Sequence, residues 1–396
     1  VRQKKVPVAI IGAGPYGLAL SLQCQHLGIE HILFGRLMSF WREHMPAGMF
    51  LRSRPDWHLD PQETDTLQRY AQVNGLSAAE LDPIPLRCYL DYAEWIARRR
   101  RVSADEREVT RLDAAGGHFA LTLSDGEVVN VDRVVVTTGF GAGAHVPPEW
   151  AGMLPDGRFA HSQDFTDLAV IDGRSCLIVG GRQSAFESAA LAAEHGATEV
   201  HVVHRHPTPR FATADWSWVN PLLDRFIDDP CWYRDLATDE QEEITQRMWR
   251  IGRSQLEPWL APRIDRPEVK LWPNSQITSC RERQDGRLLA ELDTGRSLVV
   301  DQVVLATGYR PDLRRLEFLN QGTALAGVRR GDGLPTLDGH FQSTVPGLYF
   351  TSKFAVADFG HFFDFTAAAR VSALIIAGHI LLGYPARKDS DSHQVP

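Results

Sequence analysis

Val6-Pro-Val-Ala-Ile-Ile-Gly12-Ala-Gly14-Pro-Tyr-Gly17-Leu-Ala-Leu-Ser-Leu22 decides the fold of this chain. Val8, Ala9, Ile10 and Ile11 make an apolar β-run, and Leu18, Leu20, Leu22 and Leu27 predict a helix beyond the glycines. Strand, glycine-rich turn and helix in that order give G-x-G-x-x-G its meaning. Gly12 makes the tight turn, Gly14 removes a side chain where a pyrophosphate touches backbone, and Gly17 lets the helix pack on the strand. Gly12, Gly14, Pro15, Tyr16 and Gly17 are therefore candidate dinucleotide contacts, with the helix amides facing the anion. The acid that usually takes the ribose is missing, because His31-Ile-Leu-Phe-Gly35-Arg36 offers glycine or arginine there.

The unit recurs. Cys176-Leu-Ile-Val leads into Gly180-Gly-Arg182-Gln-Ser-Ala185, a helix is expected over Ala185 to His195, and a strand over Glu199 to His204. Arg182 stands where the middle glycine belongs. The strand ends in His204-Arg205-His206, with Arg210 soon after, where an NAD site would carry an acid. A guanidinium there suits a 2′-phosphate, so this turn is read as an NADPH site with Gly180, Gly181, Arg182, Gln183, Ser184, Arg205 and Arg210 as contacts. Two apolar strands end in Thr-Gly, at Thr138-Gly139 and Thr307-Gly308, where glycine allows close approach to a cofactor. The fold class expected is α/β, with two Rossmann-like dinucleotide-binding domains, the second inserted into the first.

The 396 residues, 43% hydrophobic and 23% charged with a net charge of −8, suit an ordinary globular enzyme and argue against a nucleic-acid binder. Arg98 to Arg101 close a helix beginning near Tyr89 and are expected to be a solvated helix end. Cys24, Cys88, Cys176, Cys231 and Cys280 form no C-x-x-C, which removes a dithiol redox centre and fits a cytoplasmic protein. The first strand starts too early for a secretory segment, so the mature chain is expected to begin here. Val371 to Leu382 is too short for a membrane span and reads as a buried helix. No clustered Cys/His metal spacing is present.

These motifs resemble the class B flavin monooxygenases over most of the chain up to about residue 380, most nearly the N-hydroxylating group. The likeness is carried by the two glycine turns, the G-G-x-Q-S-A form of the second, the run Asp301 through Leu305-Ala-Thr-Gly-Tyr309, and His161, Ser162 and Phe165 in the linker. The resemblance implies FAD on the first turn and NADPH on the second. It implies domains at 1–143 (FAD, first part), 144–173 (linker), 174–300 (NADPH, with a helical Trp-rich insertion at about 212–262) and 301–386 (FAD, second part). A disordered tail at 387–396 is expected from its polar composition. Phe40-Trp41 is similar to the family's tryptophan stretch beside the flavin, and Met49 to Arg52 would run along the isoalloxazine. Trp41, Arg52, Thr138, Gly139, Gly308 and Gly360 join the FAD contacts, and Thr307 the NADPH contacts.

The activity implied is NADPH reduction of FAD, oxygen addition at the flavin C4a, and transfer of the distal oxygen of the hydroperoxide to a small molecule. Nitrogen is the favoured acceptor. The Baeyer-Villiger linker pattern is absent around Phe159, which speaks against ester formation. C-hydroxylation, Baeyer-Villiger oxygenation and a plain NADPH-dependent flavin oxidoreductase or oxidase remain alternatives, as does a binding protein without turnover. Partners are then a small-molecule substrate and molecular oxygen. No catalytic residue is assigned; His58, Trp216, Trp218, Asp358 and His361 are the candidates for the substrate pocket. The sequence leaves the oligomeric state and the atom oxygenated open.

Overall fold

The computed structural model describes residues 6–154 and 157–383. Strand Val6–Ile11 lies between His31–Phe34 and Val128–Val136, parallel to both. Ala104–Asp105 extends this sheet at one edge. At the other, Val128–Val136 pairs in parallel with Leu348–Phe350 and, through its earlier residues, antiparallel with the hairpin of Val109–Ala115 and His118–Leu123. Val8, Ala9, Ile10 and Val134 to Val136 are fully buried, as strands covered on both faces require. One cover is helix Pro15–His26, buried from Pro15 to Cys24 and packed on helix Ala368–Leu382. The late helix is the buried one expected, begun three residues early. No helix among the described residues is long and apolar enough to cross a membrane.

The second sheet is entirely parallel, in the order Val269–Pro273, Glu199–His204, Ser175–Val179, Gln302–Leu305, Phe159–His161. Chain leaving the first sheet after Val136 builds this sheet and returns to the first at Leu348, so one nucleotide-type lobe is inserted in the other. Two segments sit differently from the sequence reading. Phe159–His161, expected in the linker, and Gln302–Leu305, expected in the returning part of the first unit, both belong to the second sheet. The reason is burial: Val303, Val304 and Leu305 are fully enclosed and need a strand on each side to satisfy their backbone. The helix after Gly181 runs Gln183–Glu194, two residues earlier than expected.

The Trp-rich insertion holds helices Val219–Asp228 and Thr238–Gly252. Although it is covalently part of the second unit, its apolar face joins the core of the first. Phe226 meets Phe359, Phe362 and Phe363 at ring separations of 6.0, 5.9 and 5.5 Å, and Trp232 and Tyr233 close the same cluster.

Arg98 to Arg101 are not merely a solvated end. They cap helix Leu86–Arg100, and Arg99 and Arg100 reach Asp65 at 2.7 and 2.5 Å, with Arg100 also 3.1 Å from Asp60. Both carboxylates are buried, and buried charge demands a partner. The expected tail at 387–396 lies outside the described residues.

Candidate functional site

At the first turn each glycine has a distinct reason. Gly12 has φ +113°, and a Cβ on it would lie 2.9 Å from the Thr137 carbonyl carbon. A Cβ on Gly17 would meet the Gly12 oxygen at 1.8 Å, so the helix can sit this close only without one. Gly14, which caps the helix, has nothing within 4 Å of that position. The open space lies in front of the helix amides, where a pyrophosphate fits. Beside it, Gly139 (φ +68°) is equally open, and the buried Thr138 Oγ1 has no hydrogen-bond partner among the described residues. An open cradle with an orphaned hydroxyl suits FAD. Tyr16, by contrast, uses its hydroxyl elsewhere: it lies 2.9 and 2.7 Å from the Phe363 and Phe365 carbonyls, and burial pushes its pKa up. At the missing ribose acid, Gly35 takes φ +113° and Arg36 turns to Glu43.

The second turn is tighter. A Cβ on Gly180 would be 2.5 Å from the Ala306 oxygen, and one on Gly181 2.5 Å from the His204 Cβ. Arg182 fills the place that Gly14 leaves open and donates to the Arg253 carbonyl at 2.5 Å. Gln183 accepts from the Glu257 amide at 3.2 Å. Ser184 is exposed. Arg205 and Arg210 are exposed beyond strand Glu199–His204 with no ion pair to a described residue, which suits a 2′-phosphate.

The two Thr-Gly ends meet. Phe140 follows the first and Tyr309 the second, and their rings stand 5.4 Å apart. Phe40 packs on both, at 6.0 and 6.1 Å. Thr307 donates to the His145 carbonyl, and the Gly308 carbonyl accepts from His161 Nε2 at 3.0 Å and from the His145 amide at 2.9 Å. The His161 Nδ1 accepts from the Gln163 amide, so the ring is neutral with its proton on Nε2, and burial lowers its pKa. The linker histidine is thus a strap across the second Thr-Gly end.

Below this seam is a charged group whose Lys353 and Arg253 the sequence reading missed. Lys353, just past strand Leu348–Phe350, lies 4.8 Å over the Phe140 ring and 2.7 Å from Asp364. The same carboxylate takes His361 at 2.9 Å and Arg253 at 3.3 Å. Burial would push Asp364 up, but Lys353 and His361 overcome it and hold the carboxyl well below the usual range. Burial lowers Lys353 in spite of Asp364. The one available signal was a lysine directly after an apolar strand.

The substrate-pocket candidates are not brought together. His58 accepts from the Leu67 amide at the start of a helix. Trp216 packs between Trp57 and Phe365, and Trp218 lies under Arg247, 4.2 Å from its guanidinium. Asp358 accepts from the Leu337 amide, and burial raises its pKa. Only His361 reaches the seam, through Asp364. Three expected flavin contacts are committed elsewhere. Arg52 pairs with Glu257 at 2.8 Å and donates to the Gly252 and Ile251 carbonyls, since a buried guanidinium fills its donors locally. Trp41 packs on Tyr89 at 5.1 Å. Gly360 (φ +76°) would place a Cβ 2.7 Å from the Tyr233 ring, so its glycine is explained by packing alone.

Fold and turns together define an α/β oxidoreductase with two nucleotide-binding lobes. Residues 9–247 match the pyridine nucleotide-disulphide oxidoreductase family, and the chain belongs to it. Its cofactors are FAD and NADPH, and its architecture is that of the class B flavin monooxygenases. An FAD-dependent urate hydroxylase of Xanthomonas campestris pv. campestris is 34% identical over 160 residues, covering 38% of this chain and 32% of that protein. The aligned part is thus under a third of that relative. A probable indole-3-pyruvate monooxygenase of Arabidopsis thaliana is 25% identical over 79% of this chain and 78% of its own length. The ornithine N-hydroxylase of Kutzneria sp. 744 shares the fold, with a TM-score of 0.78 at 17% identity over 95% of this chain and 99% of that one.

Proposed function

We propose that this chain is an NADPH- and FAD-dependent monooxygenase that places one oxygen atom on a small molecule, at a nitrogen or another electron-rich centre. The observation that carries the reading is the meeting of Thr138-Gly139-Phe140 with Thr307-Gly308-Tyr309, which puts the ends of both nucleotide lobes on one aromatic seam. The open turn at Gly12, Gly14 and Gly17 with Thr138 and Gly139 would hold FAD; Gly180, Gly181 and Gln183 with Arg205 and Arg210 would hold NADPH. Bound FAD supplies the redox and oxygen chemistry. The chain's own work is to orient both nucleotides, to keep water from the seam with Phe40, Phe140 and Tyr309, and to hold the Lys353 side chain beside them through Asp364. A nitrogen acceptor is supported by the name of the ornithine N-hydroxylase that shares the fold.

A disulfide reductase is the second reading that the family allows. It is disfavoured because all five cysteines are free and none shares a dithiol motif, so the relay for thiol exchange is missing. The test is NADPH turnover under ¹⁸O₂ with urate, ornithine and other small amines, reading product mass and peroxide together. One ¹⁸O in an N-oxygenated product establishes the proposal; complete recovery of electrons as peroxide with every substrate sinks it.

A further inference from the structure

Helix Thr238–Gly252 ends at a junction of three grips. From the first unit, Arg52 donates to the Ile251 and Gly252 carbonyls. From the second, Arg182 donates to the Arg253 carbonyl at 2.5 Å and touches Ser254 Oγ at 3.5 Å. The Arg253 side chain reaches Asp364. Cations on terminal carbonyls suit the negative end of the helix.

Arg182 is the unusual member. Arg52 has Glu257 and Arg253 has Asp364, but no described carboxylate lies within ion-pair distance of Arg182. It is half-buried, and burial and then the charge of Arg253 both lower its pKa. It also caps helix Gln183–Glu194, at the position that Gly14 leaves open in the first turn. A cation without a counter-ion at a dinucleotide turn is best neutralised by phosphate, while its present partner is only a carbonyl dipole.

We propose that Arg182 is a nucleotide-binding residue that leaves the Arg253 carbonyl to pair with the pyrophosphate of NADPH, and in leaving it unclamps the end of helix Thr238–Gly252. This rests on the reading of residues 180–185 as the NADPH turn. Gly252 lies against Trp216 and Phe365, so close that a Cβ would meet Trp216 at 2.8 Å and Phe365 at 3.4 Å. Filling the second site would therefore loosen an aromatic wall packed on the first unit, linking nucleotide occupancy to access from the insertion side.

Hydrogen exchange of the FAD-loaded protein tests this at 249–254, where the Arg253 and Ser254 amides both donate to the Trp249 carbonyl. NADP⁺ should speed exchange there on the order of tenfold, the ratio expected from losing one charge-assisted hydrogen bond. Adenosine 2′-phosphate, which lacks the pyrophosphate, should leave it unchanged. In Arg182→Met the segment should exchange fast without nucleotide and show no further response, and Arg182→Lys should restore part of the response. Calorimetry with NADP⁺ is run on each sample. Bound NADP⁺ with unchanged or slower exchange overturns the exchange of partners alone, as does an equal effect of adenosine 2′-phosphate. Absence of NADP⁺ binding overturns the nucleotide-site reading with it.

Discussion

Replacing Asp364 by Asn keeps the shape of the side chain and removes the charge that Lys353, His361 and Arg253 share. Asp364 and Lys353 are 6% and 8% exposed, so water cannot take over as the partner of the lysine. Breaking a buried pair from one side costs about 3 to 5 kcal/mol, mostly the penalty of the orphaned ion. An unfolding entropy of about 2.1 cal/mol/K per residue gives roughly 0.8 kcal/mol/K for a chain of this length, so the midpoint should fall by about 4 to 6 °C. The assay is thermal unfolding of FAD-saturated protein, with Lys353→Met and the double variant alongside. The double variant should regain most of the loss, because Lys353→Met removes the buried ammonium that Asp364→Asn leaves unpaired. The pH dependence has a definite sign. Since the folded carboxyl is held below its usual range, its stabilisation is present above the unfolded value of about 3.9 and is lost as pH falls through the folded one. The gap between parent and Asp364→Asn should hold from about pH 8 to 5 and narrow below about 4. A midpoint within about 1 °C of the parent, or a double variant no better than Asp364→Asn, would refute the buried-pair argument.

Gly14→Val should fold, since its Cβ has open space, yet purify without flavin; Gly17→Ala should fail to fold, with a Cβ 1.8 Å from the Gly12 oxygen. Absorbance at the flavin band and far-UV circular dichroism separate the two, and a yellow Gly14→Val protein would count against the cradle. Arg205→Ala should weaken NADP⁺ binding by roughly 10- to 100-fold and leave NAD⁺ binding unchanged, the loss of one charge-assisted contact; equal losses for both nucleotides in calorimetry would contradict it. Glu187, buried on helix Gln183–Glu194 and accepting from the Phe50 amide at 2.8 Å, has its pKa pushed up to about 7 by burial. With the folded pKa raised, its stabilisation is full below the unfolded value of about 4.3 and lost as pH rises through about 7. Urea titrations of Glu187→Gln should show a flatter stability profile across that window, and a parallel profile would disprove the assignment.

What the sequence disclosed and what it hid divide along one physical line. Gly12, Gly14 and Gly17 were legible because a nucleotide turn needs glycine at fixed spacing, for a positive φ at Gly12, open space at Gly14 and close helix approach at Gly17, and strands such as Cys176 to Val179 were legible because burial on both faces leaves a continuous apolar run. Arg52, Trp216, Asp358 and Gly360 were assigned to ligands because polar, aromatic and glycine residues look alike in sequence whether their partner is a cofactor or another segment. Their partners, Glu257, Phe365, Leu337 and Tyr233, are distant in the chain, and no local pattern announces them. Gln302 to Leu305 shows the same limit for the fold: its pattern says buried strand, while its choice of sheet is set by which neighbours remain unpaired when the chain returns. Lys353 and Asp364 combine both difficulties, being eleven positions apart by their numbering, each unremarkable alone, and meaningful only as a pair. Local rules thus identify the nucleotide turns, and long-range charge pairing, as at Lys353, Asp364 and the arginine-held end of helix Thr238–Gly252, decides what surrounds them.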